Sequence, residues 1–469
     1  MRTEKDSLGK LSIEDEALYG INALRSHRNF PPGTEKINPC LIKAYLVVKK
    51  AAAQTNYKCG LLFKEKFDAI DDAIDLLLKE TELAIKGTSE SIYSKIIVDP
   101  YQGGAGTSLN MNLNEVIANT ALQMLEKPLG DYKSVHPYDD VNMSQSTSDT
   151  YITAMKIASI FALRGLTDAL SQLHQVLKKK EAEFIQILKL ARTEYQDAVP
   201  ITLGQEFGAY AGAVKRSIDA LSLYESQLLQ INLGGTAVGN SITAVREYVE
   251  NVGDILHKIT GLPVRKCDDL IDASQNMDLF SGLHGQIKNA AVSIIKICND
   301  LRFLASGPKG GISEIILPAV QAGSSIMPGK VNPVILEYAI QIGELIKGYD
   351  VTISNLSSSG HLELNPYLPV IIHILLKSID QLKTASTQLA EKCISGIKAD
   401  VERCKKNLIE SSAIGASLLT EYGYETILEI VKYAELHKIP FIKALLKSKL
   451  ISESDLFALI SRELGIEVE

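Results

Sequence analysis

Between Gly282 and Gly307 the residues Ile287, Ala291, Ile294, Cys298, Leu301 and Ala305 follow one another at alternating steps of four and three. A helix collects residues at that spacing onto one narrow stripe, and such a stripe is the seam of helices packed nearly parallel in a bundle. Met155, Ala162, Leu166, Leu170, Leu173 and Leu177 repeat the habit ahead of the charged Lys178-Lys179-Lys180-Glu181. A third such segment runs from Val334 towards Tyr349 and a fourth from Pro369 to about Lys392. Alternating Val/Ile/Thr runs bounded by turn residues are scarce, so the expected fold is all-α, built on a central long-helix bundle.

Breakers divide the rest. Pro31-Pro32-Gly33, Gly103-Gly104-Ala105-Gly106 and the Pro137 region interrupt the first part, and Gly423 and Pro440 interrupt the last. The predicted organisation is therefore an N-terminal helical domain over 1–142, the bundle over 143–400 and a small C-terminal helical domain over 401–469. A chain of 469 residues, 46% of them hydrophobic, is ample for a large core.

Charge excludes some partners. Lys and Arg number 49 against 56 Asp and Glu, so no global basic excess attracts nucleic acid, and an anionic ligand must be gripped locally. The opening MRTEKDSLG has no apolar signal region, and the apolar run around Val370–Leu376 is far too short for a membrane span. Cys40, Cys59, Cys267, Cys298, Cys393 and Cys404 are dispersed without a CxxC pair, as in a reduced intracellular protein. A cytoplasmic location with no membrane partner is expected. Eight histidines without HExxH or a His/Cys cluster predict no catalytic metal, and the lack of a Gly-rich phosphate loop predicts no bound nucleotide or other cofactor.

The segment Gln321-Ala322-Gly323-Ser324-Ser325-Ile326-Met327-Pro328-Gly329-Lys330-Val331-Asn332-Pro333 concentrates the chemistry. Gly, Ser and Pro are also the ordinary punctuation of connectors. Here, however, hydroxyls, amides beside glycine, a lysine and a side-chain amide lie within nine residues, and those groups suit a carboxylate.

This loop resembles, nearly letter for letter, the signature of the aspartase/fumarase superfamily. The likeness continues in order through Gly106-Thr107-Ser108-Leu109-Asn110-Met111-Asn112, the stretch Asp140 to Asp149, Arg192 to Pro200 with Leu203-Gly204-Gln205-Glu206, Gly234 to Gly239, and Leu364-Asn365. The opening Asp6-Ser7-Leu8-Gly9, with Ala17-Leu18-Tyr19-Gly20-Ile21, is similar to that of the aspartate ammonia-lyases, as is the pair Ser146-Thr147.

The resemblance implies a homotetramer whose sites are each shared between three subunits, acting on a small dicarboxylate and releasing fumarate. It implies Ser324 as the base that removes the C3 proton. Thr107, Ser146, Thr147 and the backbone around Ser325 would surround the carboxylate that becomes an enediolate, and Lys330 and Asn332 would hold the other. Thr193 belongs to the same set. Two positions depart from the family pattern: Ser148 stands where most relatives have Asn, and Glu194 where they have His or Gln. Both positions face the leaving group in relatives. Loss of ammonia from aspartate, loss of a larger amine from an N-substituted aspartate, and loss of water from malate therefore stay open. His136 and His361 read as structural.

Overall fold

The four helical seams lie in helices Asp278–Leu304, Thr147–Phe184, Val334–Ser357 and Leu368–Lys392 of the computed structural model, which describes residues 1–466. Ile287, Ala291, Ile294, Cys298 and Leu301 are all buried, as are Met155, Ala162, Leu166, Leu170, Leu173 and Leu177. Val334–Ser357 continues eight residues past the expected Tyr349. A fifth long helix, Leu203–Leu228, had no predicted counterpart. The fold is all-α, with four small two-stranded sheets among the described residues. Residues 467–469, the end of the expected C-terminal domain, lie outside the described residues.

The chain forms two compact units, and the division falls within each of the five long helices. The first unit comprises Met1–Leu166, Ala220–Lys288 and Ile346–Gln381. In it, helix Pro39–Lys58 packs against Lys64–Ile85 and Arg246–Thr260, and Lys64–Ile85 against Thr107–Met124. Pro39 starts its helix behind Asn38, whose side chain accepts the Cys40 amide at 2.9 Å, a cap that satisfies one of the free N–H groups of the first turn. Gly106 precedes Thr107–Met124 at φ 90°, and a Cβ there would fall 2.2 Å from the Tyr151 ring, so only glycine fits. The His136 side chain accepts the Tyr138 and Asp139 amides and so caps the π-turn Pro137–Val141, in keeping with a structural histidine.

The second unit comprises Thr167–Asp219, Asn289–Leu345 and the chain from Leu382 onward. Leu408, Ile414, Leu418, Phe441, Leu445 and Leu456 form the centre of its C-terminal helical cluster. An antiparallel hairpin, Leu188–Thr193 with Gln196–Thr202, packs on helix Val401–Glu410. No disulfide joins the six cysteines; Cys298, Cys393 and Cys404 are buried, and the other three are half-buried.

Candidate active site

In the first unit, Thr107, Ser146 and Thr147 line one cavity of about 500 Å³ together with Asn110, Asn142 and Gln145. Thr107 is placed by the glycine turn at the start of its helix, and Ser146 and Thr147 by the start of Thr147–Phe184. Ser146 caps that helix: its Oγ accepts the Ser148 amide at 3.3 Å, while its own amide donates to Asp149 at 2.9 Å. Thr147 Oγ accepts from Asn110 Nδ2 at 3.0 Å. Each hydroxyl oxygen thus already accepts a hydrogen bond, so its proton is the part left to offer a ligand. Ser148 is buried and is not among the residues lining this cavity. Beneath the wall, Asp149 is fully buried and accepts the amides of Ser146, Gly234 and Thr236. Burial pushes its pKa up to about 6 against those three hydrogen bonds.

In the second unit, Ser324 lies half-buried at the start of its loop, and its Oγ accepts the backbone amides of Ile326 at 3.2 Å and Met327 at 3.1 Å. Two amides aimed at one hydroxyl oxygen would stabilise negative charge there. The loop is closed on itself: Asn332 Nδ2 donates to the Gly323 carbonyl at 2.7 Å, and the Gly323 amide donates to the Lys330 carbonyl at 2.9 Å. Ser325 and Lys330 are exposed on this loop.

Thr193 and Glu194 sit at the tip of the hairpin. Thr193 pairs with Gln196, which leaves Glu194 and Tyr195 as a two-residue connection, both with positive φ (54° and 62°). That is the backbone of a type I′ turn, for which Asn-Gly is the usual choice. A glutamate there marks a position where the side chain matters more than the backbone's comfort. Glu194 lines a cavity of about 380 Å³ with Arg192, Gln205, Glu206, Tyr210 and Lys296. Behind the tip, buried charges fasten the hairpin. Glu314 is wholly inaccessible and receives both Arg192 nitrogens at 3.0 and 2.8 Å, and Lys189 bridges Glu314 at 3.1 Å and Glu206 at 2.6 Å. Burial alone would raise the Glu314 carboxyl, but Arg192 and Lys189 hold it below its ordinary value.

Asn110, on a helix, and Asn142 and Gln145, in the turn before the next one, were within recognised segments but carried no expected role, because a side-chain amide reads as solvent-facing until its partners are known. The hairpin and its ion cluster had no periodic signal.

The comparisons with known proteins give the class of this chain, a lyase. The chain belongs to the lyase family, which residues 9–348 match, and within it to the aspartase/fumarase superfamily. It is 42% identical over 436 residues to an aspartate ammonia-lyase from a Bacillus species, an overlap spanning 93% of this chain and 91% of that protein. Among solved structures it is similar to a fumarate lyase:delta crystallin from Brucella melitensis, bound to cobalt, with 42% identity, a TM-score of 0.92 and 99% of each chain covered. It also resembles a class II fumarase from Schistosoma mansoni, at 28% identity and a TM-score of 0.88 over 98% of each chain.

Proposed function

We propose that this chain is an aspartate ammonia-lyase, converting L-aspartate reversibly to fumarate and ammonia. The substrate reading rests on its 42% identity, over nearly its whole length, to the Bacillus enzyme of that name. Ser324, as an alkoxide under the Ile326 and Met327 amides, takes the C3 proton. The electrons left on C3 spread into the adjacent carboxylate as an enediolate, which the hydroxyls of Thr107, Ser146 and Thr147 and the backbone near Ser325 stabilise, about 2.7–4 kcal/mol for each well-placed donor. The electron pair then returns to form the C2–C3 double bond, and the C2–N bond breaks with its electrons going to ammonia. Lys330 and Asn332 hold the second carboxylate, Thr193 completes the substrate contacts, Glu194 faces the departing amine, and Ser148, buried and off the cavity wall, stands at the other position that faces the leaving group in relatives. No metal or organic cofactor takes part in this scheme.

The working enzyme is a homotetramer, each site shared between three subunits, in the cytoplasm. Its domains are 1–142, 143–400 and 401–469. The tetramer has support in apolar residues left exposed on long helices: Leu223 (66%), Val351 (61%), Val292 and Leu345 (47% each) are surface that a bundle of bundles would cover. No described helix is long and apolar enough to cross a membrane.

Glu194 favours a second reading, release of a larger amine from an N-substituted aspartate, because its carboxylate opens onto a roomy cavity. The likeness to the Schistosoma fumarase keeps loss of water from malate as a third. Purified protein incubated with fumarate and ammonia, a panel of amines, or water alone separates them by the adduct formed. Aspartate as the main product supports the proposal, and malate alone refutes it.

A further inference from the structure

Lys49 is 1% exposed on helix Pro39–Lys58, and its two hydrogen bonds go to amide oxygens, Asn142 Oδ1 at 2.9 Å and Gln145 Oε1 at 3.0 Å. Burying an amine this deeply is costly, and a methionine would fill the same space without that cost. The two acceptors belong to residues lining the cavity of Thr107, Ser146 and Thr147. Burial draws the Lys49 pKa down to about 7 against the pull of Asp149. With or without its third proton, the nitrogen has N–H groups for both oxygens.

Every amide in this network has a fixed orientation. Gln145 Nε2 donates to the Val141 and Met143 carbonyls, which leaves Oε1 for Lys49. Asn142 Nδ2 donates to the Gln145 carbonyl, so Oδ1 faces Lys49 and also accepts from Asn110 Nδ2 at 3.2 Å and Asn114 Nδ2 at 3.1 Å. Asn110 must then present its Nδ2 to Thr147 Oγ, and the Thr147 proton has to point elsewhere. A flipped Asn110 would offer Thr147 an acceptor, and the hydroxyl would spend its proton inside the protein.

We propose that Lys49 is a positioning residue for carboxylate recognition: acting through Asn142 and Asn110, it sets the Thr147 hydroxyl as a donor into the cavity. The inference rests on the reading that Thr147 meets a substrate carboxylate, and it assigns a direction to a chain of three hydrogen bonds, Lys49 to Asn142 to Asn110 to Thr147. Lys49 touches no substrate. Its effect falls on ground-state binding of the carboxylate and also on the enediolate, because the donor it prepares serves both and more strongly the second.

The test compares the parent with Lys49→Met, Lys49→Gln and Asn110→Leu. It measures the Kd of succinate, a non-reacting four-carbon dicarboxylate, by calorimetry, the KM and kcat for L-aspartate, and the melting temperature. Lys49→Met should weaken succinate and raise KM at least tenfold, and should lower kcat as well, since the enediolate loses the same donor. Lys49→Gln, which keeps an N–H donor in similar volume, should recover a good part of each. A purely structural lysine would make Met and Gln behave alike and would move melting rather than KM. Lys49→Met with Kd and KM within twofold of the parent overturns the inference. Should that variant not fold, Asn110→Leu decides, since it leaves Lys49 its partners: a fivefold or larger loss of succinate affinity supports the chain, and unchanged affinity overturns it. A parent that neither binds succinate nor makes fumarate from aspartate overturns the underlying reading, and the inference with it.

Discussion

A serine hydroxyl becomes a base only where its negative charge is stabilised, and the proposed base Ser324 has two backbone amides within 3.2 Å of its Oγ. Ser324→Ala should therefore cut kcat for fumarate formation roughly 100-fold or more, the ordinary effect of losing a general base. Its melting temperature should stay close to the parent's, since one loop hydroxyl adds little to the core. A variant keeping a tenth of the rate would remove Ser324 from that role. Glu194 poses a different question, because its positive φ costs a non-glycine residue about 1–2 kcal/mol. Glu194→Gly should relieve that strain, offset by about 0.5–1 kcal/mol of extra chain entropy in the unfolded state. Its denaturation midpoint should not fall, while its preference for aspartate over malate should. A stable variant with unchanged preference would show that Glu194 does not face the leaving group.

The hairpin Leu188–Thr202 is held by buried charges as well as by the burial of Leu190, with Glu314 held by Arg192, Lys189 and Asn407. Because Glu314 ionises more readily in the folded protein than its ordinary 4.5, its contribution is present above that pH and is lost as pH falls through the lower folded value. Glu314→Gln should destabilise by about 3–5 kcal/mol near neutral pH, as expected for breaking a buried pair. The gap from the parent, followed by chemical denaturation, should narrow below pH 4.5; a gap that stays constant down to pH 3 would contradict the ion-pair explanation. This element was also the least legible in the sequence. The long helices declared themselves because their apolar residues repeat at helical spacing over many turns. The hairpin strands are only six and seven residues long, and Arg192 stands where the alternation begun by Leu188 and Leu190 calls for an apolar side chain. Asn110, Asn112 and Asn114 were equally hidden: all three are buried in helix Thr107–Met124, where their partners come from distant segments. The loop from Gln321 to Pro333 was legible as a loop for the opposite reason, since its Gly, Ser and Pro residues are contiguous and its closure by Asn332 is local.

At the scale of the assembly, the proposed site draws Thr193, Ser324 and the cluster of Thr107, Ser146 and Thr147 from three different subunits. Two inactive variants should then complement each other. Refolding Thr193→Ala together with Ser324→Ala should give mixed tetramers containing some intact sites, and hence activity that neither has alone; sedimentation as a monomer would contradict the assembly outright. The charge around the leaving group decides the reaction. At an effective dielectric of 20, a carboxylate 4 Å from an ammonium contributes about 4 kcal/mol of attraction, against which desolvation works. Hydroxide gains nothing from such a neighbour. The most direct measurement is the rate of fumarate formation from L-aspartate and from L-malate under matched conditions with the same enzyme. Aspartate should be consumed clearly faster; a clear advantage for malate would contradict the ammonia-lyase assignment and put a hydratase in its place.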